Sequence, residues 1–185
     1  TLWRAQTLLS KEPETIEWID SFDEGETFWD IGANVGVYSL YASLLKRVKT
    51  VAFEPSAANY FVLNRNIRIN GYADRVSALC LAIGSRTQFS ELHMGEQSEE
   101  VGGALNQFGG AFDHDGKPFT ASFTQGMLGF RLDTLVSMFD LPFPTHIKID
   151  VDGIEDQVIE GAAETLADPR LRSILIELNV DRTGY

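Results

Sequence analysis

The chain has 185 residues, a length that suits one domain, and 27 acidic residues against 15 basic ones give it a formal charge of −12. With 44% hydrophobic and 23% charged residues it holds the material for one sizeable core, which excludes a wholly disordered chain. The negative balance, with no basic patch denser than Lys46, Arg47 and Lys49, argues against nucleic acid as a partner. No apolar run approaches the ~18 residues of a membrane span, so no membrane partner is expected.

The elements read as strand then helix. Residues 14–22 put Ile16, Ile19 and Phe22 at helical spacing behind Pro13. Residues 27–31 form strand one, and residues 35–46 a helix with Val37, Leu40, Tyr41, Leu44 and Leu45 as its apolar stripe. Residues 50–54 form strand two; Pro55 and Ser56 open a helix that runs to Asn70 and stops at Gly71. Residues 76–83 form strand three. Cys80, inside that apolar run, is expected to be a buried structural thiol; being single, it excludes an intrachain disulfide and a Cys-rich zinc site.

Between residues 84 and 130 the rhythm breaks, with strand pieces at 87–93 and 119–124 joined by a long loop. Alternation returns with strand four at 145–150, a helix bearing Ile154, Val158, Ile159, Ala162 and Leu166, and strand five at 172–178. Helices between apolar strands imply parallel crossovers, hence an α/β, doubly wound, mostly parallel sheet in a single domain over 1–185. That domain carries an N-terminal helical segment (1–24) and an irregular insertion (about 94–126). The insertion, rich in Gly and Phe, reads equally as a substrate lid or a surface loop.

In such sheets ligands bind beyond the carboxyl ends of the strands. Here those ends carry Asp30-Ile31-Gly32-Ala33-Asn34-Val35-Gly36, Glu54, Ala82-Ile83-Gly84, Asp150-Val151-Asp152-Gly153 and Glu177-Leu178-Asn179. Gly32 and Gly36 permit a sharp turn close to a ligand, and Glu54, 18 residues beyond Gly36, stands where an acid binds ribose hydroxyls. Together they point to a nucleoside-containing ligand; separately each is an ordinary βα turn or a solvated acid. A dinucleotide fingerprint starting at Gly32 fails at Asn34 and Val37, and no Walker, H-E-x-x-H, C-x-x-C or G-x-S-x-G pattern is present. S-adenosylmethionine, which has no pyrophosphate, suits this turn, with Asp30 placed to meet its ammonium directly or through water and Ala82 and Ile83 near its adenine.

Four stretches carry a family resemblance: Phe28-Trp29-Asp30-Ile31-Gly32-Ala33-Asn34-Val35-Gly36, Phe53-Glu54-Pro55, Arg131-Leu132-Asp133-Thr134-Leu135 and Ile147-Lys148-Ile149-Asp150-Val151-Asp152-Gly153-Ile154-Glu155. In order and spacing the chain resembles FkbM-type methyltransferases over residues 27–180. The resemblance implies a class I, Rossmann-like, S-adenosylmethionine-dependent fold and methyl transfer to a small-molecule hydroxyl, often on a sugar or secondary metabolite. It also implies cofactor roles for Asp30, Gly32, Asn34, Gly36 and Glu54. The rival functions are a nicotinamide-dependent oxidoreductase and a non-catalytic S-adenosylmethionine-binding or interaction domain.

Asp150 is the first choice for a general base or metal ligand, and Asn179 is a second oxygen ligand for a possible Mg²⁺. Asp152 is a catalytic candidate whose structural alternative is a capping box, N-cap Asp152 with Glu155 reaching back. Lys148 shares a face with Asp150 and reads equally as an ion-pair partner or a catalytic part. His93 and His114 read as surface histidines, and His146, Trp3, Trp18 and Trp29 as packing residues.

The reading of the compartment is cytoplasmic, from the lone Cys and the lack of a signal pattern. A class I sheet usually ends in an antiparallel hairpin, and no strand pair follows Asn179. The sequence therefore predicts either missing residues or an oligomer that covers the sheet edge. An intact mass near 20.6 kDa together with a stable monomer in solution would contradict both.

Overall fold

Pro13, whose missing N–H would have no partner in a first helical turn, opens helix α1 (Pro13–Asp20). The computed structural model of the chain describes residues 7–8, 11–95, 106–111 and 117–177. After α1 come β1 (Thr27–Ile31), α2 (Val37–Leu45), β2 (Lys49–Phe53), α3 (Ala57–Asn70) and β3 (Val76–Leu79). Next are β4 (Ala82–Ile83), β5 (Gln88–Met94), β6 (Asn106–Phe108) and β7 (Phe123–Phe130). The chain then forms α4 (Leu132–Met138), β8 (His146–Ile149), α5 (Glu155–Glu160), α6 (Ala163–Ala167) and β9 (Ser173–Ile176).

Five strands form a parallel sheet in the order β3-β2-β1-β8-β9. The order of strands reverses between β1 and β8, and a crevice opens above such a switch point. Trp29, Val51, Phe53, Ile147 and Ile149 face Leu132, Leu135 and Val158 in the main core. On the other side Phe28 packs with Ile16, Ile19, Phe22 and Tyr38, which fastens α1. At the foot of β8, His146 stacks on Phe22 at 3.8 Å and hydrogen-bonds both Ser173 and Glu26 at 2.7 Å.

Several expectations are corrected. The single strand expected at 76–83 is two strands: β3 stays in the parallel sheet, whereas β4 runs parallel to β7 in a second sheet ordered β4-β7-β5-β6. The expected pieces at 87–93 and 119–124 are β5 and β7, the latter shifted to Phe123–Phe130, and both join this second sheet. Neither joins the edge of the main sheet. Cys80 lies in the bend between β3 and β4 and is exposed, so it is not a core thiol. The lid reading falls largely on 96–105 and 112–116, outside the described residues.

The stripe expected on α2 is also displaced. Leu44 and Leu45 are half exposed, and the helix buries Tyr38, Ser39, Ala42 and Ser43 instead. Ser39 donates to Asp30 at 2.5 Å, and Ser43 bonds Thr50 at 3.0 Å. Burying a leucine is worth roughly 1.5–3 kcal/mol. A buried carboxylate left without a donor costs more, so the serine face turns inward.

The Arg131-Leu132-Asp133 motif is structural. Asp133 accepts from Thr165 N–H at 2.8 Å and Thr165 Oγ1 at 2.7 Å, and from Glu164 N–H at 3.2 Å, so it binds donors at the start of α6. Arg131 donates to the carbonyl of Ser85 at 2.9 Å. Asp133→Ala leaves those donors without an acceptor and is expected to lower unfolding free energy by about 1–3 kcal/mol, read as a reduced urea midpoint.

Candidate active site

The turn after β1 is tight because its backbone lies against β8. Gly32 has φ +85°, and a Cβ there would sit 1.8 Å from the carbonyl oxygen of Asp150. The N–H groups of Gly32 and Ala33 both donate to the carbonyl of Phe53 at 3.0 Å, which stitches the turn to the tip of β2. Gly36, at φ +84°, is the N-cap of α2, where a Cβ would meet Leu63.

Glu54 stands directly beyond β2 and is 4% exposed. Its Oε2 accepts from the N–H of Asn34 at 2.8 Å; its Oε1 accepts from the N–H of Ser56 at 2.9 Å and from Asn59 Nδ2 at 3.4 Å. Burial pushes the carboxyl up to about 7, against those donors.

The tip of β8 is a charge cluster. Lys148, 1% exposed, places Nζ 2.5 Å from Asp150 Oδ2 and 5.0 Å from the centre of the Tyr38 ring. Of the two readings of Lys148, the ion pair is the one observed. Burial opposes ionisation of Asp150, but the Lys148 ammonium outweighs it and holds the carboxyl below its ordinary value. Glu177 follows β9 beside Asp150, and burial together with the Asp150 charge raises it to about 7. Asp30, opposite Lys148 in the β1–β8 register, accepts from Ser39 and has one buried oxygen, Oδ1, without a hydrogen-bond partner among the described residues. Burial raises its pKa against the pull of Lys148.

A cavity of about 200 Å³ brings these tips together. Gly32, Asn34, Glu54, Ala82, Ile83, Asp150 and Asp152 all line it. Gly36 and Asp30 do not; Asp30 lies beneath it, 1% exposed. Lys11 and Asn106, which the sequence does not single out, also line the cavity, as do Phe108 from the Phe-rich insertion and the strand-tip acid Glu177. Glu177 had a signal, an acid at a strand tip. Lys11 and Asn106 had none, since only the packing of α1 and of the second sheet brings them there.

The capping box expected at Asp152 is not formed. Helix α5 starts at Glu155 with Ile154 as its N-cap, and Glu155 accepts from the N–H of Gly153 at 3.1 Å. Asp152 instead accepts from the N–H of Asn106 on β6 at 3.3 Å, tying the second sheet to the tip of β8. Among the described residues no group of three or more His, Cys, Asp or Glu side chains is arranged to hold a metal. Asn179, His114 and Trp3 lie outside the described residues. No described helix is long and apolar enough to cross a membrane.

A parallel sheet in this order, with a cavity over its switch point, defines the Rossmann-like fold of class I methyltransferases. A precorrin-6y C5,15-methyltransferase from Geobacter metallireducens GS-15 shares that fold, with a TM-score of 0.52 and 15% identity over 93% of this chain and 65% of that one. The sequence profile of the methyltransferase FkbM domain matches residues 30–184, and the chain belongs to the FkbM methyltransferase family. It is similar to the hexuronic acid methyltransferase AglP of Haloferax volcanii, with 22% identity over 97% of this chain and 68% of that protein. It is also similar to the methyltransferase sdnD of Sordaria araneosa, with 29% identity over 73% of this chain and 60% of that protein. The chain thus spans about two thirds of the curated relatives it matches.

Glu54 makes stability depend on pH. From its ordinary 4.5 up to about 7 the unfolded carboxyl has lost its proton while the folded one retains it, so native stability falls as pH rises through that window. Glu54→Gln is expected to reduce this fall, read as urea midpoints at pH 5 and pH 7.5; a slope remains from Glu177, which is raised in the same way.

Proposed function

We propose that the chain transfers a methyl group from S-adenosylmethionine to a hydroxyl of a small polar molecule. The observation that carries this reading is the one cavity shared by the glycine turn, Glu54 and the Asp150–Asp152 tip. The residues fit the cofactor. The three donors on Glu54 leave Oε2 with capacity for a ribose hydroxyl. Leu81, Ala82 and Ile83 provide an apolar wall for adenine, and the close approach at Gly32 keeps the turn free of side-chain bulk beneath the cofactor's tail. Asn34 and Gly36 hold the turn in place. Asp30 acts from below, through Ser39 and Lys148, and not by direct contact with the ammonium.

Bound S-adenosylmethionine supplies a methyl group already activated on a sulfonium. The chain's own contribution is alignment, worth up to roughly 7–11 kcal/mol in favourable cases, and removal of the hydroxyl proton. In this reading Asp150 accepts that proton, with Glu177 beside it, and Asp152 and Asn106 border the acceptor side; their shared lining of the cavity supports these roles. The name of the Haloferax relative supports a sugar acid as the first acceptor class to test. No step here requires Mg²⁺.

The test is transfer of labelled methyl from S-adenosylmethionine to a panel of hexuronic acids, neutral sugars and hydroxylated secondary metabolites. Asp150→Asn keeps an oxygen for Lys148. It is expected to fold, to bind S-adenosylhomocysteine within about threefold of the native chain, and to lose about 10²–10⁴-fold in turnover. Full turnover in that variant would refute the role of Asp150.

A further inference from the structure

The turn that carries Glu54 is held from outside the parallel sheet. Gln125, on β7 of the second sheet, reaches across to residues about 70 positions earlier in the chain. Its Oε1 accepts from the N–H of Ala57 at 3.0 Å, and its Nε2 donates to the carbonyl of Pro55 at 2.9 Å. Ala57 is the first residue of α3, and a first-turn N–H has no acceptor within its own helix. The carbonyl of Pro55 belongs to a turn and has no ladder partner. One amide therefore satisfies both backbone groups that flank Ser56, and only this orientation of the amide supplies a donor to the carbonyl and an acceptor to the N–H.

The consequence for Glu54 is geometric. Its carboxylate is fixed on one oxygen by the N–H of Ser56 and on the other by the N–H of Asn34. The Asn34 side is anchored independently, because the turn after β1 is bonded to Phe53. The Ser56 side has Gln125 on both flanks. Without those two bonds the peptide groups around Ser56 keep the Tyr60 N–H on the Ser56 carbonyl at 2.8 Å and the Cys80 thiol on the Pro55 carbonyl at 3.6 Å, but they are held less firmly, and the Oε1 anchor shifts with them.

We propose that Gln125 is a positioning residue for the Glu54 carboxylate, so that the second sheet sets how strongly the site grips the cofactor's ribose. This rests on the reading above in which Glu54 binds the ribose hydroxyls. An amide of this length is required. Leucine has the size without either hydrogen-bonding group, and glutamate accepts from Ala57 but has no donor for Pro55.

The experiment measures, by calorimetry, the affinity of the full chain for S-adenosylhomocysteine and for its 2′-deoxy counterpart. The native chain is expected to favour the ribose form by about tenfold or more. Gln125→Leu is expected to cut that preference at least threefold, mostly by weakening the ribose form, with the deoxy form little changed. Gln125→Glu is expected to do the same and provides the readout if the leucine variant fails to fold. If the variants weaken both ligands equally and keep the native preference, Gln125 is merely structural and the proposal is overturned. If the native chain binds both ligands equally, the ribose assignment of Glu54 falls and this proposal with it; if it binds neither, the cofactor reading itself falls. These failures are therefore distinct from one another.

Discussion

The backbone of Gly32 passes so close to the carbonyl of Asp150 that even a methyl group at that position would lie 1.8 Å from the oxygen. Everything above the parallel sheet depends on this contact between the tips of β1 and β8. It closes the gap at the point where the strand order reverses, so the acids that follow β2, β8 and β9 face one small space instead of separate stretches of solvent. Glu54, buried at the tip of β2, is pushed up to about 7 by that burial, whereas Glu177, more open to solvent, is raised to about 7 by partial burial together with the Asp150 charge beside it.

One buried ammonium balances much of that charge. Lys148 pairs with Asp150, lies opposite Asp30 and rests over Tyr38, whose hydroxyl donates to Glu12 at 2.7 Å. Glu12 in turn pairs with Lys11 at 2.6 Å, so the segment before α1 is drawn over the cavity by a chain of charges that begins inside the sheet. A buried ion without partners is costly; here each ionic group has a counter-ion or a hydrogen-bond donor within reach. The N-terminal segment is therefore part of the site's electrostatics as well as its wall.

The alternation of apolar strands and helices was enough to read the parallel sheet, and glycine and acid spacing was enough to find the β1 and β2 tips. What escaped the sequence has physical causes. The α2 stripe was misread because hydrophobicity ranks Leu44 above Ser39, whereas a buried Asp30 makes the serine the more valuable inward residue. Residues 76–83 look like one apolar run, yet the chain changes sheets at Cys80 and Leu81, a break that leaves apolar periodicity intact. The box pattern Asp152-Gly153-Ile154-Glu155 matched a local cap, but the carboxylate of Asp152 was claimed by β6, a partner 46 residues away. Lys11 and Asn106 reach the cavity only through tertiary packing, so no local pattern could report them.

The exposed thiol of Cys80 sits where the two sheets part company, with Sγ 3.6 Å from the carbonyl of Pro55. That carbonyl is the same oxygen to which Gln125 donates. Since the chain has one cysteine, a thiol reagent finds a single address, and it lies on the back of the turn that presents Glu54. A small label there reads movement between the sheets. A bulky one pushes on the turn itself and makes the nucleoside pocket sensitive to chemistry on the surface behind it.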